Sequence, residues 1–416
     1  MTDAPTLPET ALSPAHDASP WGLALVVIWT PHEPHLLGAC LLPTASGASV
    51  FGRGDSPPET GQPRLLLRQQ RPGDAVALPS TNARLSRAQL RVSPGPDSLV
   101  LDNLGLCPLL WRGQEVRRAE VSAGDVVALG QQMALLCVRR PRLLPGGTAE
   151  ASFAFGEADE HGLVGESPAA WTLRGEAAFL ARRGEHVLVQ GPSGSGKEIL
   201  ASALHALSSR RERTLVSRNA ATIPEALVDA ELFGNARNYP NPGMAERPGL
   251  IGQAHQSTLF LDEFAELPES VQAHLLRVLD AGDYQRLGDA SVRRSDFRLI
   301  AATNRPLSAL KEDVAARFLL RLRLPGLDDR REDVPLLARH LLRRIGARDR
   351  EAVQRFFPGG DVRGEPRVSR DLAMSLVLHP YATHVRELLA LLWDSVRQSP
   401  GDELTPLPDL SPWSSP

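Results

Sequence analysis

The segment "HVLVQGPSGSGKEILASALHAL", residues 186–207, constrains the fold of this chain more than any other stretch. It runs as an apolar strand, a glycine-rich turn and a helix, the order of a parallel α/β architecture. Gly191, Gly194 and Gly196, with Ser193 and Ser195 among them, let the backbone curl until its N–H groups and the helix N-terminus face one anion. Lys197 follows, placed to reach the terminal phosphates of a nucleotide. Basic residues are almost all arginine, and the two lysines, Lys197 and Lys311, stand out for that reason. Glu198 occupies the position where the bare phosphate-loop pattern has Ser or Thr. A chance glycine-rich turn is the bland alternative.

Two more apolar strands end in polar chemistry. "TLFLDEF", residues 258–264, closes on adjacent carboxylates, Asp262 and Glu263, and strands of open α/β sheets present such ends at the ligand-binding edge. Asp262 is expected to hold Mg2+ through water, and Glu263 to polarise an attacking water. The competing reading is an acidic cap on the helix "ELPESVQAHLLRVL". "FRLIAATN" ends in Thr303 and Asn304, whose amide can sense a γ-phosphate. Three strands of this kind point to binding and hydrolysis of ATP with Mg2+.

Composition divides the rest. Residues 1–20 are rich in Pro, Ala, Ser and Thr and read as a mobile tail. From 21 to 142 short apolar runs alternate with Gly, Pro, Ser and Asp turns, the rhythm of an all-β sandwich. Residues 143–162 read as a linker, 163–325 as the α/β core, 326–399 as a helical unit and 400–416 as a second disordered tail. No internal repeat is visible. A net charge of −3 gives no global basic field for nucleic acid or acidic membranes. The three cysteines lack metal-type spacing and read as reduced thiols. The run "GLALVVIW" is too short to span a bilayer, so a cytoplasmic protein without membrane attachment is expected.

Residues 163–395 resemble the AAA+ domain of the bacterial enhancer-binding proteins, the sigma-54-dependent activators. The carriers are "VGESPAAW", "GPSGSGKEILASALH", "ELFG", "TLFLDE", "LPESVQAHLLRVLDAGDYQRLG", "LIAATNR", "RREDVPLLARHLL" and "HVRELLALL", in the family's order. The resemblance accounts for Glu198, since Glu normally follows the loop lysine in that family. It implies a ring oligomer, a hexamer, in which Asp262 and Glu263 are the Walker B pair. Asn219 would hold the catalytic glutamate, Asn304 would be sensor I, and Arg386 sensor II on a helical lid. It also implies two trans-acting arginine fingers six residues apart, at positions that here read Lys311 and Arg317. Lysine keeps the charge and loses the planar fork, so slow hydrolysis that needs assembly is expected.

The same resemblance exposes two departures. Where the family carries its sigma-factor-gripping GAFTGA loop, this chain reads "NYPNPG", with Asn238, Tyr239 and Asn241 at the tip and two prolines within it. Proline fixes φ and removes an amide donor, and a weakened grip on sigma-54 RNA polymerase holoenzyme is expected. The chain also stops soon after the lid, and direct sequence-specific DNA binding is not expected. Residues 21–142 resemble a forkhead-associated (FHA) domain, through "VFGRGDSP", "ARLSRAQLRV" and "LVLDNLGLCPLLWRGQEVRRAEVSAGDVVALG". That resemblance implies recognition of a phosphorylated protein by Arg53, Ser86 and Arg87. Gln89 stands at the usual supporting histidine, and Cys107 or Pro108 at the peptide-holding asparagine, which leaves a plain protein-docking sandwich as the other reading. Two functions therefore stand side by side: a phosphorylation-controlled, sigma-54-remodelling ATPase, and an FHA–AAA+ adaptor that binds ATP without remodelling.

Overall fold

The computed structural model describes residues 20–45, 47–57, 61–144 and 152–410. Residues 21–142 form two antiparallel sheets, one of eight strands and one of four. Between them lies a core that includes Leu25, Val27, Phe51, Leu90, Leu101 and Leu135. The Trp21–Trp29 strand lacks the alternation of a half-exposed strand because both its faces are covered. Leu25 and Val27 enter the sandwich core, while Ile28 and Trp29 leave it for a second core shared with the helical unit.

Residues 163–325 build a five-stranded parallel sheet in the order Val216–Asn219, Thr258–Asp262, Arg298–Thr303, Val187–Gln190 and Leu320–Arg323. The Arg298–Thr303 strand at its centre is buried throughout and its neighbour Val187–Gln190 is buried up to Gln190, as a sheet covered by helices on both faces requires. The helical unit follows, with main helices Val334–Gly346, Arg350–Phe356, Arg370–Leu378 and His384–Gln398. No helix among the described residues is long and apolar enough to cross a membrane.

Two expectations need correction. Residues 152–162 are not a free linker: Phe153 stacks on Trp171 at 5.9 Å, and the Arg71 guanidinium lies 4.6 Å above the Phe153 ring. Gly156 donates its N–H to Glu166 at 2.8 Å and accepts from Arg339 at 2.7 Å. The Phe153 anchor and the Gly156 backbone bonds outweigh the linker-like composition around them. The second tail is ordered as far as Leu410. Leu404 is fully buried, and its backbone exchanges bonds with Ser369 and Arg367 at 2.9 and 2.8 Å. One leucine and a short ladder pin a segment whose proline content suggested disorder. The first tail lies outside the described residues except Pro20, whose carbonyl accepts from the Arg142 N–H at 2.9 Å; residues 411–416 and 145–151 also lie outside them.

Candidate functional site

Because the five strands are parallel, their carboxyl ends share one edge. Gln190 lies opposite Thr303, and Asn219 opposite Asp262. The glycine turn, the Asp262–Glu263 pair and Thr303–Asn304 therefore emerge side by side at the edge where α/β sheets bind ligands. Gly194 and Gly196 take φ of +76° and +104°, the left-handed region that favours glycine. A Cβ on Gly191 would sit 2.9 Å from the Leu324 carbonyl oxygen, so the turn leaves no room for a side chain there.

Lys197 is 6% exposed, and its Nζ donates only to the carbonyls of Gly191 and Pro192, at 3.1 and 3.3 Å. No carboxylate among the described residues pairs with it. A nearly buried ammonium without a counter-ion is costly unless an anion arrives, and the triphosphate of ATP fits that need. Ser195 turns inward and donates to the Pro192 carbonyl at 2.8 Å, while Glu198 is exposed in the first helical turn. Glu263 adopts φ +50°, a strained value for a carboxylate residue, and donates its N–H to Asp262 Oδ1 at 2.9 Å. Both carboxylates are half-buried and unpaired among the described residues, so Asp262 is available to hold Mg2+.

The helical unit reaches this turn directly. The Val385 N–H donates to the Gly194 carbonyl at 3.1 Å, and Arg386 Nη1 to Ser193 Oγ at 3.4 Å. A Cβ on Gly194 would lie 2.2 Å from the Thr383 carbonyl oxygen. Arg386 thus stands at the loop. Asn304 is exposed at the end of its strand, beside Arg305, which pairs with Glu266 at 2.7 Å.

Other expected partners are not joined here. Asn219 accepts from the Ala221 N–H at 2.9 Å and shares no hydrogen bond with Glu263 among the described residues. Lys311 lies 3.8 Å from Glu269, and Arg317 donates to Asp280 at 2.8 Å, so both finger positions are occupied by acids of the Glu269–Ala281 helix.

The loop beginning at Asn235 closes on itself. Asn235 and Arg247 exchange two backbone bonds of 3.1 Å, and Asn235 Nδ2 donates to the carbonyls of Ala236, Tyr239 and Ala245. Asn238 takes φ +62° and accepts from the Gly243 N–H at 3.0 Å. Asn241 accepts from the Met244 N–H at 3.2 Å through its carbonyl. The Tyr239 ring rests on Gly288, where an added Cβ would meet it at 2.4 Å. Buried Arg286 pairs with Glu246 and Asp289, and the serine and arginine donors around Asp289 hold its carboxyl well below the usual range.

At the sandwich tip, Arg53, Ser86 and Arg87 do come together. The Arg53 N–H donates to the Ser86 carbonyl at 3.0 Å, and Arg53 Nη1 to the Ala83 carbonyl at 3.3 Å. Ser86 Oγ accepts from the N–H of Leu106, which is 97% exposed. Fully buried Gln89 accepts from the Ser86 N–H at 3.2 Å and donates to Asn103 Oδ1 and the Cys107 carbonyl, at 2.7 and 2.8 Å. It ties the loops at Ser86, Asn103 and Cys107 together. Sequence reading missed Arg64, which donates to the carbonyls of Arg53, Gly54 and Arg87 and so stitches both tip loops together.

Also missed was the junction that explains two of the quoted motifs. Asp333 of "RREDVP" accepts from the Glu166 and Ser167 N–H groups of "VGESP" at 2.8 and 2.9 Å, and from Ser167 Oγ at 2.6 Å. Sandwich arginines complete it: Arg71 pairs with Glu166 at 2.8 Å, and buried Arg140 with Glu332. Burial pushes the Glu332 carboxyl up to about 7, against the pull of Arg140.

Residues 163–327 match the Sigma-54 interaction domain. Across that domain and beyond, the chain is 38% identical over 239 residues to the transcriptional regulatory protein ZraR of Escherichia coli (strain K12), covering 56% of this chain and 51% of ZraR. It is 40% identical over 194 residues to the Nif-specific regulatory protein of Bradyrhizobium diazoefficiens, covering 45% of this chain and 33% of that protein. The crystal structure of NtrX from Brucella abortus in complex with ADP aligns at 30% identity with a TM-score of 0.51, covering 60% of this chain and 54% of that one. An ATP complex of the same protein aligns equally well, at a TM-score of 0.51. The chain thus spans at most about half the length of these curated relatives. Its Sigma-54 interaction domain is an AAA+ P-loop unit of the kind found in sigma-54 activators.

Proposed function

We propose that this protein is a sigma-54-interacting AAA+ ATPase whose activity answers to a phosphorylated protein bound at an FHA-like tip. The observation that carries the reading is the meeting of Lys197, the Asp262–Glu263 pair and Arg386 around one sheet edge. Bound ATP and Mg2+ supply the phosphoryl group and its charge neutralisation. Lys197 and the turn amides would bind the phosphates, Asp262 would hold the metal, and Glu263 would orient and polarise a water. Arg386 carries the phosphate state into the lid through the Gly194–Val385 contact. Arg317, and Lys311 with less geometric grip, act from a neighbouring subunit of a ring, a hexamer by family resemblance, in the cytoplasm. Arg53, Ser86 and Arg87 receive the phosphate at the tip.

ATPase rate against protein concentration tests this. The wild-type rate should rise with concentration. Glu263→Gln should retain ATP and lose turnover, and Arg317→Ala should lose about 10³-fold, the scale of an arginine finger. A flat background rate with intact ATP binding would replace this reading with the adaptor, which binds ATP and docks on partners without remodelling. The folded loop favours that second reading, since Tyr239 rests on Gly288 and Asn235 ties the loop inward. Capture of sigma-54 with a transition-state mimic bound, and its loss in Tyr239→Ala, would decide for remodelling.

A further inference from the structure

Arg140 is 1% exposed, yet its guanidinium joins three parts of the chain. Nε donates to Gln70 Oε1 within the sandwich at 2.7 Å, and Nη2 to the Glu166 carbonyl at the entry to the α/β core at 2.7 Å. Nη1 pairs with Glu332, whose buried carboxylate has no other partner among the described residues. Gln70 is fixed in turn, since its Nε2 donates to the carbonyls of Pro141 and Arg142 at 3.0 and 2.9 Å. A buried ion pair adds little stability over well-packed apolar groups, but three directed bonds from one planar group define a single geometry.

Glu332 lies in the short segment Asp328–Asp333, which leads from the sheet strand Leu320–Arg323 into the helical unit. Arg330 interrupts the helical turn there, at φ −143° and ψ +49°, so the segment is a joint rather than a rod. From this joint a run of direct contacts reaches the phosphate turn. The Arg330 N–H donates to the Leu327 carbonyl at 3.0 Å, and the Leu327 N–H to His384 Nδ1 at 3.2 Å. A Cβ on Gly326 would meet the His384 ring at 2.6 Å, so the ring is closely seated. The two residues after His384 are the ones that touch the turn, Val385 at Gly194 and Arg386 at Ser193.

We propose that Arg140 is a positioning residue for the phosphate site: from the sandwich it fixes the Asp328–Asp333 joint and so, through Leu327 and His384, holds Arg386 at the glycine turn. The placement presupposes the proposed role of Arg386 at the phosphates of bound ATP. A ligand that shifts the sandwich then alters nucleotide affinity, and nucleotide alters affinity for that ligand, by the same factor.

The test uses the whole chain, titration with a fluorescent ATP analogue and a double-mutant cycle. Arg140→Met combined with Glu332→Met removes both buried charges and nearly keeps their volume, so the fold should hold. In the wild-type background that pair should weaken nucleotide binding about fivefold, and Arg386→Ala alone about tenfold. In the Arg386→Ala background the same pair should change nothing, because the group it places is gone. Arg140→Lys leaves Glu332 a counter-charge but has one nitrogen for three acceptors. It should show the same pattern, and it carries the comparison if the apolar pair melts early. Equal weakening in both backgrounds would make Arg140 merely structural and overturn the proposal, as would no weakening in either. Undiminished nucleotide binding by Arg386→Ala would instead remove the assignment of Arg386, and this placement with it.

Discussion

His186 shows how a single side chain is tied to the strand that feeds the phosphate turn. Its Nδ1 accepts from the Leu299 N–H at 2.9 Å, and its Nε2 lies 3.3 Å from the Leu279 carbonyl. Both bonds require the neutral ring with the proton on Nε2. Burial, with Arg298 and Arg210 nearby, holds the imidazole below its ordinary value of 6.5. The unfolded chain therefore takes up the proton first. The stability this group contributes is complete above about pH 6.5 and is lost as pH falls from there through the lower folded value. Thermal melts of wild type should drop on acidification, and His186→Gln should remove part of that slope; an unchanged slope would mean the ring is solvated. At the same scale, the glycine turn and the Asp262–Glu263 pair were legible in sequence. Arg64 was not, because an arginine that bonds only to carbonyls carries no motif.

Among elements, the short helix Glu312–Arg317 and the helix Glu269–Ala281 form a unit that holds Lys311 and Arg317, the fingers of the proposed ring, in place. Arg317 and Asp280 are both about half exposed, at 48% and 44% of their side chains. An exposed pair of this sort is worth only about 0–1 kcal/mol, weak enough for a neighbouring subunit's phosphates to displace. Asp280→Asn should lower the protein concentration at half-maximal ATPase rate, by about fivefold at most, without changing ATP affinity in the monomer. A rise in that concentration would show that Asp280 orients the finger rather than restraining it. The loop at Asn235 was legible as irregular from its prolines and glycines. Its inward fold depended on Gly288 and Arg286, some fifty residues away in sequence.

For the whole molecule, the governing feature is the core shared by the sandwich and the helical unit. Ile28, Ala134 and Leu136 pack with Leu336, Leu341 and Leu372 in one cluster, and the Arg140–Glu332 pair closes its edge. The two units should therefore unfold together. Ile28→Ala should cost about 2–5 kcal/mol and lower a single melting transition followed through both units. Two separate transitions, with the lid unaffected, would refute the shared core. Arg140→Met, which leaves Glu332 buried without its partner, should also destabilise, and the loss should be greatest above about pH 7, where the carboxylate is charged.

Local pattern alone determined the parallel α/β unit, the sandwich before it and the edge where phosphates bind. Those features rest on periodicity, glycine placement and charges within a few residues of one another, and a chain reads them out as it is written. The seating of Phe153, the pairing at Leu404 and the Asp333–Ser167 junction belong to the tertiary structure. Each depends on groups far apart along the chain, whose meeting is decided by which apolar faces find cover and which buried charges find partners.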